Sequence, residues 1–267
     1  MSTLGLGQAF GCIPHRWTAD GIALSPVIHH DRRINVEHAH EAAFVTMMLD
    51  GAYTEKAALR RFPFERFTAV FHGAGIDHQD FIGGSGVKLL IFEFRPELID
   101  AQRNRGLRDV SGSRAAWDML ALYREAPSLD PLEFETRAMR LIAAIAPIRS
   151  PRDMPTLRRA REYLHAHFCE AVTMRDVARA AAVHPVYLGQ MFHRELGETV
   201  ADYVKRLRVR ASAEQLARGD TPIAQIAFEH GFCDQSHFQR VFKKFCGVTP
   251  AKFRSSLATL PPALASA

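Results

Sequence analysis

Two groups of residues in this chain have types and spacings suited to chemistry. Toward the C-terminus, Gln235, Ser236, His237, Gln239 and Arg240 set five hydrogen-bonding side chains within six positions. An arginine can donate twice to the edge of guanine, and a glutamine can pair with adenine. A poorer counterpart, Val186, Gly189 and Gln190, lies about fifty residues earlier. The second group is histidine-rich. His38 and His40 flank one alanine, and His78 ends the segment Gly73-Ala74-Gly75-Ile76-Asp77-His78. On a strand, residues two apart share a face, so His38 and His40 can address one ion or one polar ligand. Imidazole suits iron, zinc or copper. The plainer reading is that these histidines hydrogen-bond within a pocket or turn. His29, His30 and His72 read as surface or structural residues. The sequence contains no nucleophile triad, Walker loop or dinucleotide fingerprint.

The first group sits on a repeated element. Tyr187-Leu188-Gly189-Gln190-Met191-Phe192-His193-Arg194 runs on to Gly197, Thr199, Ala201 and Tyr203. Fifty residues later, His237-Phe238-Gln239-Arg240-Val241-Phe242-Lys243-Lys244 runs on to Gly247, Thr249, Ala251 and Phe253. Upstream, Val177-Ala178 recurs as Ile226-Ala227 at an offset of 49, so the second turn is one residue longer. Each copy reads as helix, tight turn, helix. In the first, Val177, Ala178 and Ala181 face inward, Ala182-Val183-His184 turns, and Leu188, Met191 and Phe192 follow. In the second, Ile223, Ile226 and Ala227 face inward, His230-Gly231-Phe232-Cys233 turns, and Phe238, Val241 and Phe242 follow. Gly231 suits a turn position with positive φ. The apolar residues are core, which leaves the polar face outward. Gly189 inside a helix costs about 1 kcal/mol relative to alanine. It reads equally as a close-approach position or as a tolerated surface substitution.

Thr173, Thr199, Thr221 and Thr249 each precede a helix-compatible residue and are expected to mark helix starts. Thr199–Ala217 reads as one continuous helix of roughly 28 Å at about 1.5 Å per residue. Successive major-groove faces lie roughly 34 Å apart. Such a connector can hold two recognition helices in adjacent turns of one DNA face. Of its basic residues Lys205, Arg206, Arg208 and Arg210, together with Lys243, Lys244, Lys252 and Arg254, phosphate contacts are assigned to Lys205, Arg206, Lys243 and Lys244.

Charge follows the same division. Residues 1–151 hold 17 Lys+Arg against 18 Asp+Glu, a net of −1, whereas residues 152–267 hold 17 against 11, a net of +6. A neutral half joined to a basic half implies that the second meets a polyanion. Cys12, Cys169, Cys233 and Cys246 form no C-x-x-C pair, which fits a reducing cytoplasm. The longest strongly apolar stretch, Ala42–Leu49, is far short of the roughly 20 residues that span a bilayer. From about Leu24 to Phe94, runs such as Phe44–Leu49, Phe67–His72 and Val87–Phe94 predict a β-sandwich or small barrel, with turns at Asp50-Gly51 and Gly83-Gly84. Ser113–Ala126 and Pro131–Ile145 predict helices, and Pro147–Arg152 a linker.

Over about Thr156–Leu257, and most closely over Ile223–Arg254, the sequence resembles the AraC/XylS family of bacterial transcription regulators. The resemblance implies a sequence-specific, ligand-responsive DNA-binding regulator that is not an enzyme. Its fold class would be α+β in two domains. An all-α, seven-helix DNA-binding domain at 152–258 would carry recognition helices near Pro185–Glu195 and Gln235–Phe245. Family contact positions carry over onto Val186, Gly189, Gln190, Gln235, Ser236, His237 and Arg240. Two departures occur: His184 stands where a serine cap is usual, and Gly189 where a polar side chain is common. Residues 1–110 resemble, less closely, a cupin-like sensor domain on the strength of His38-Ala39-His40, Gly51 and Gly73–His78. Residues 111–151 would be a helical bridge for dimerisation with a linker, and 259–267 a tail. The implied partners are double-stranded DNA, a small-molecule effector and a second copy of the chain, with RNA polymerase left open and no membrane.

By the same resemblance, His38, His40 and His78 occupy positions like the metal ligands of catalytic cupins. The carboxylate that pattern places after the pair is missing. Phe44 stands there, Glu41 is misplaced and Glu37 lies outside it. The three histidines are therefore assigned to an effector pocket, with no metal and no cofactor. A metal-binding cupin enzyme fused to a DNA-binding domain is the alternative. Repair chemistry on a methyl-accepting cysteine lacks the cysteine cluster it needs.

Overall fold

The computed structural model describes residues 2–57, 60–99, 106–145 and 155–258. The expected linker at 147–152 and tail at 259–267 lie outside the described residues. The chain divides into two compact units between Pro147 and Ile148. The first combines a sheet with two helices, and the second is helical.

In the N-terminal unit, ten strands among the described residues join one sheet. They are β1 (Ser2–Leu4), β2 (Trp17–Ala19), β3 (Ile22–His29), β4 (Arg33–Ile34), β5 (His38–His40), β6 (Ala43–Ala57), β7 (Arg60–Phe64), β8 (Ala69–His72), β9 (His78–Phe94) and β10 (Leu107–Asp109). The long strands β6 and β9 pair antiparallel from Ala43↔Phe94 to Ala57↔His78. β3 pairs with the Val87–Phe94 half of β9, and β4 and β5 with its other half.

The sheet rolls over on itself. Phe44 and Glu55 are eleven positions apart on β6, roughly 36 Å along a straight strand. Yet His72 stacks on Phe44 with ring centroids 4.2 Å apart, and its Nε2 lies 2.7 Å from Glu55 Oε1. The bend coincides with register shifts at Met48/Asp50 and Gly51/Tyr53. The sequence led us to expect turns at Asp50-Gly51 and Gly83-Gly84, but continuous strand runs through both pairs. Gly51 has φ 97°, and a Cβ there would lie 2.3 Å from the Gly86 carbonyl oxygen. The glycine thus marks a bulge where two backbones approach closely, not a chain reversal. Helices α1 (Arg114–Glu125, capped by Ser113) and α2 (Pro131–Ile145) pack on each other, and α2 also meets β2.

The C-terminal unit contains α3 (Pro155–His167), α4 (Met174–Ala180), α5 (Pro185–Leu196), α6 (Val200–Arg218), α7 (Ile223–Glu229), α8 (Gln235–Cys246) and α9 (Pro250–Ala258). Thr173 forms a capping box with Asp176, the Thr199 hydroxyl accepts from Asp202 N, and Thr249 Oγ1 accepts from Lys252 N. Thr221 departs from expectation. Pro222, in an extended conformation, takes the N-cap place of α7 with no side-chain cap, and the Thr221 carbonyl accepts from Arg254.

One apolar cluster joins Leu157, Val177, Leu188 and Phe192 to Val200, Tyr203 and Leu207 of α6. Further along, α6 packs against α7 and α8. There the Phe238, Phe242 and Phe253 rings form a chain with centroid spacings of 5.4 and 5.3 Å. Because α6 serves both cores, it is one continuous element linking two helix–turn–helix copies, α4–α5 and α7–α8.

Candidate nucleic-acid interface and a buried histidine cluster

Each turn is closed by local chemistry. Asp234 caps α8: its Oδ1 accepts from His237 N at 2.7 Å, and its Oδ2 accepts from the Cys233 thiol at 3.3 Å. The backbone bond from His237, then the Cys233 thiol, hold the Asp234 carboxyl below its ordinary value. His184 does the same job for α5, accepting from Val186 N through Nδ1 at 3.3 Å. The histidine that departs from the family pattern is therefore still a helix cap.

The polar face of α8 is accessible. Gln235, Ser236 and Arg240 are exposed, and His237 and Gln239 are half-buried. His237 Nδ1 lies 3.2 Å from Cys233 Sγ, which fixes the ring beside the helix start. On α5, Gln190 is exposed, Gly189 half-buried and Val186 61% exposed. Tyr187, which the sequence reading passed over, is 43% exposed beside it. A Cβ at Gly189 would meet only Met174 Cε, at 3.9 Å, so the helix itself has room for alanine there.

The basic residues separate into two kinds. Lys243 and Lys244 are exposed on the last turns of α8. Lys205 is half-buried and its Nζ donates to Asp202 at 3.0 Å. Arg206 turns inward: Nη2 donates to Glu198 at 3.1 Å and the guanidinium lies over the Tyr203 ring at 4.5 Å. Arg206, like Lys205, is thus engaged by an acidic neighbour within the fold.

Arg208 is structural to a greater degree. Nε donates to Phe168 O at 2.6 Å, Nη2 to Glu170 O at 2.8 Å and Nη1 to Gly231 O at 2.5 Å. One guanidinium thus ties the segment after α3 to the turn of the second copy. Gly231 has φ 73°, and a Cβ there would fall 2.3 Å from the Cys169 carbonyl oxygen. Nothing in the local sequence distinguishes Arg208 from its basic neighbours, because its three acceptors are backbone carbonyls distant along the chain.

In the N-terminal unit, His38, His40 and His78 meet. One ring nitrogen from each lies within 4.8 Å of the others, and all three are buried. Strand register produces this: His38 is opposite His78, and Glu55 is opposite Asp80. His38 Nδ1 donates to Val36 O at 2.9 Å and His78 Nδ1 to Ile76 O at 3.1 Å. Carbonyls only accept, so the neutral form of each ring presents its lone pair on Nε2. His40 Nδ1 lies 3.3 Å from Glu93 Oε1, with the same consequence. Burial, then the neighbouring His72, pushes His78 down to about 4.

Asp80 faces His38 Nε2 at 3.8 Å and His78 Nε2 at 4.0 Å, and it accepts from Tyr53 at 2.7 Å and Asn35 at 2.9 Å. Burial alone would raise its carboxyl, but His78 and the bonds from Asn35 and Tyr53 bring it below the ordinary value. His72 differs from the other three histidines, with Val70 O at 3.2 Å on one nitrogen and Glu55 at 2.7 Å on the other. Phe44 lies against His40, with ring centroids 4.4 Å apart. Sequence reasoning missed Glu55, Asp80 and Glu93. Asp80 was within reach of it, being two residues after His78 on the same strand face.

Comparison with known proteins places this geometry in a family. A helix-turn-helix domain profile matches residues 177–256. The chain is 34% identical over 92 residues to the probable transcription factor PqrA of Proteus vulgaris, covering 34% of this chain and 75% of that protein. It is 31% identical over 100 residues to a putative AraC-like transcription regulator of Streptomyces antibioticus, covering 38% of this chain and 33% of that one. It is 28% identical over 179 residues to the regulatory protein PocR of Salmonella typhimurium, covering 63% of this chain and 57% of that protein. The chain thus spans about half the length of PocR and a third of the Streptomyces regulator. No helix among the described residues is long and apolar enough to cross a membrane. With PqrA matched over three quarters of its length, the chain belongs to the AraC/XylS family of transcription regulators.

Proposed function

We propose that this protein is a ligand-responsive regulator that reads two adjacent major-groove segments of double-stranded DNA with α5 and α8. The observation that carries the reading is the α8 face. Gln235, Ser236 and Arg240 stand exposed at the start of a capped helix whose other side is sealed by Phe238 and Phe242. Recognition helices present base-reading residues from their N-terminal turns. Arg240 suits guanine; Gln235 and Gln239 suit adenine; Ser236 and His237 add further hydrogen-bonding groups. On α5, Gln190 is the polar reader, Val186 suits a thymine methyl, and Gly189 permits close approach. Lys205, Arg206, Lys243 and Lys244 take phosphates.

The N-terminal unit is read as a cupin-like effector domain with His38, His40 and His78 lining its interior. The helices α1 and α2 serve assembly with a second copy of the chain. Exposed Leu132 and Met139, seven residues apart on α2, support that assignment. The reading assigns no catalytic step. The test is fluorescence anisotropy of the full chain on its own promoter region and on random DNA at one fixed salt concentration, because phosphate contacts alone give salt-dependent binding to any sequence. The reading requires preference for the promoter; equal affinity refutes it.

A further inference from the structure

We propose that the buried cluster of His38, His40 and His78 binds one divalent transition-metal ion, with Asp80 as the adjoining carboxylate, and that this ion is the effector of the regulator. The second clause rests on the reading given above. Three observations carry the first.

The donors are set for a cation. The Nδ1 atoms of His38 and His78 are committed to backbone carbonyls and that of His40 to Glu93. In its neutral form each ring then turns an Nε2 lone pair to one buried cluster. Metal-bound histidines are held this way, with the distal nitrogen donating to a carbonyl or carboxylate. In contrast, His72 has Val70 O beside one nitrogen and Glu55 beside the other, so both its nitrogens are already engaged.

The spacing suits one ion. Ligand atoms about 2.0–2.1 Å from a tetrahedral metal lie about 3.4 Å from each other. The Asp80 oxygens stand 3.8 and 4.0 Å from His38 and His78, too far for hydrogen bonds but apt for two ligands of a shared ion. The three histidine nitrogens, within 4.8 Å, need to close by at most about 1.5 Å.

The carboxyls around the cluster suit a cation too. Glu55, Asp80 and Glu93 are all buried, each with a histidine beside it. Excess negative charge in an interior is unfavourable unless it is paired or coordinates metal. Imidazoles with one carboxylate favour first-row ions from iron(II) to zinc.

The test uses the full chain without a histidine tag, stripped with chelator, desalted, and loaded with Co2+ or Zn2+. Elemental analysis is expected to find one ion per chain, and Co2+ to give visible ligand-field bands that Zn2+ removes. His40→Ala and His78→Gln are expected to lose the ion. Asp80→Asn should bind about 10–100-fold more weakly, the range seen when a residue supporting a metal site is altered. His72→Gln should retain it. Circular dichroism accompanies each variant, and if the ligand variants unfold, the contrast between Asp80→Asn and His72→Gln decides.

DNA affinity is measured on the same samples, with Zn2+ expected to shift it in the native chain and not in His40→Ala. A chain that prefers its promoter but retains no ion, or retains it equally in Asp80→Asn and His72→Gln, overturns the metal site and leaves the DNA reading intact. Bound ion with unchanged promoter affinity overturns its role as effector. Bound ion without any promoter preference overturns the DNA reading alone.

Discussion

Ala182 and Gly231 occupy the same place in the two helix–turn–helix copies, 49 residues apart, and both have left-handed backbones, with φ 56° and 73°. Only the second is glycine. A left-handed alanine costs about 1–2 kcal/mol, part of which glycine gives back through lost chain entropy. Ala182→Gly should therefore stabilise the first copy by about 0.5–1 kcal/mol. The readout is slower hydrogen exchange in α4 and α5. Gly231→Ala should destabilise by more than the roughly 1–2 kcal/mol of a left-handed residue, since the added methyl meets the Cys169 carbonyl at 2.3 Å.

Arg208 should behave as a clamp and not as a phosphate ligand. Hydrogen bonds from a charged donor contribute about 1.5–3 kcal/mol each, and Arg208 makes three. Arg208→Ala is expected to lower the urea midpoint of the helical unit, and Arg208→Lys to recover little because a point charge cannot serve three diverging carbonyls. The salt dependence of DNA binding should be unchanged wherever the variant is folded.

Arg240→Ala and Lys244→Ala should separate reading from anchoring. The first is expected to weaken promoter binding by about 1–3 kcal/mol and relax preference at one base pair. The second should weaken binding to all sequences alike and reduce the salt slope by about one. Competition titrations across a salt series distinguish them. An intact sequence preference in Arg240→Ala means that α8 reads with another face.

Glu55 gives the N-terminal unit an acid limit. Burial raises its carboxyl, but the His72 charge and hydrogen bond outweigh this and hold it below the ordinary 4.5. A carboxyl depressed in the folded state binds fewer protons there than in the unfolded chain. Its contribution is therefore complete above about pH 4.5 and lost as pH falls through the folded value. Glu55→Gln should flatten that acid slope. It should also cost about 1–3 kcal/mol at neutral pH, because an amide oxygen accepts less strongly from His72 than a carboxylate does. Melting of the sheet unit against pH measures both.

Legibility in the sequence followed locality. The repeat, the α6 connector and three of the four threonine starts depend on neighbours a turn or two away, and periodicity exposes such relations. Thr221 misled because Pro222 took the cap position itself. Asp50-Gly51 misled because a glycine needed for close approach of β6 to Gly86 has the same composition as one needed for a turn. The Glu55–Asp80 pairing depends on register between β6 and β9, and the Glu55–His72 pair on a bend in β6, which no short window contains. A lone glutamate within the apolar run Val87–Phe94 was nevertheless a sign that Glu93 had a buried partner, which proved to be His40.

The central claim, two helices reading one face of a duplex, is tested most directly by hydroxyl-radical and methylation-interference footprinting of the full chain on its promoter. The account predicts contacts in two major-groove segments about one helical turn, roughly 10 base pairs, apart. Arg240→Ala should weaken one segment and Gln190→Ala the other. A single contacted segment, or two on opposite faces of the duplex, would contradict it.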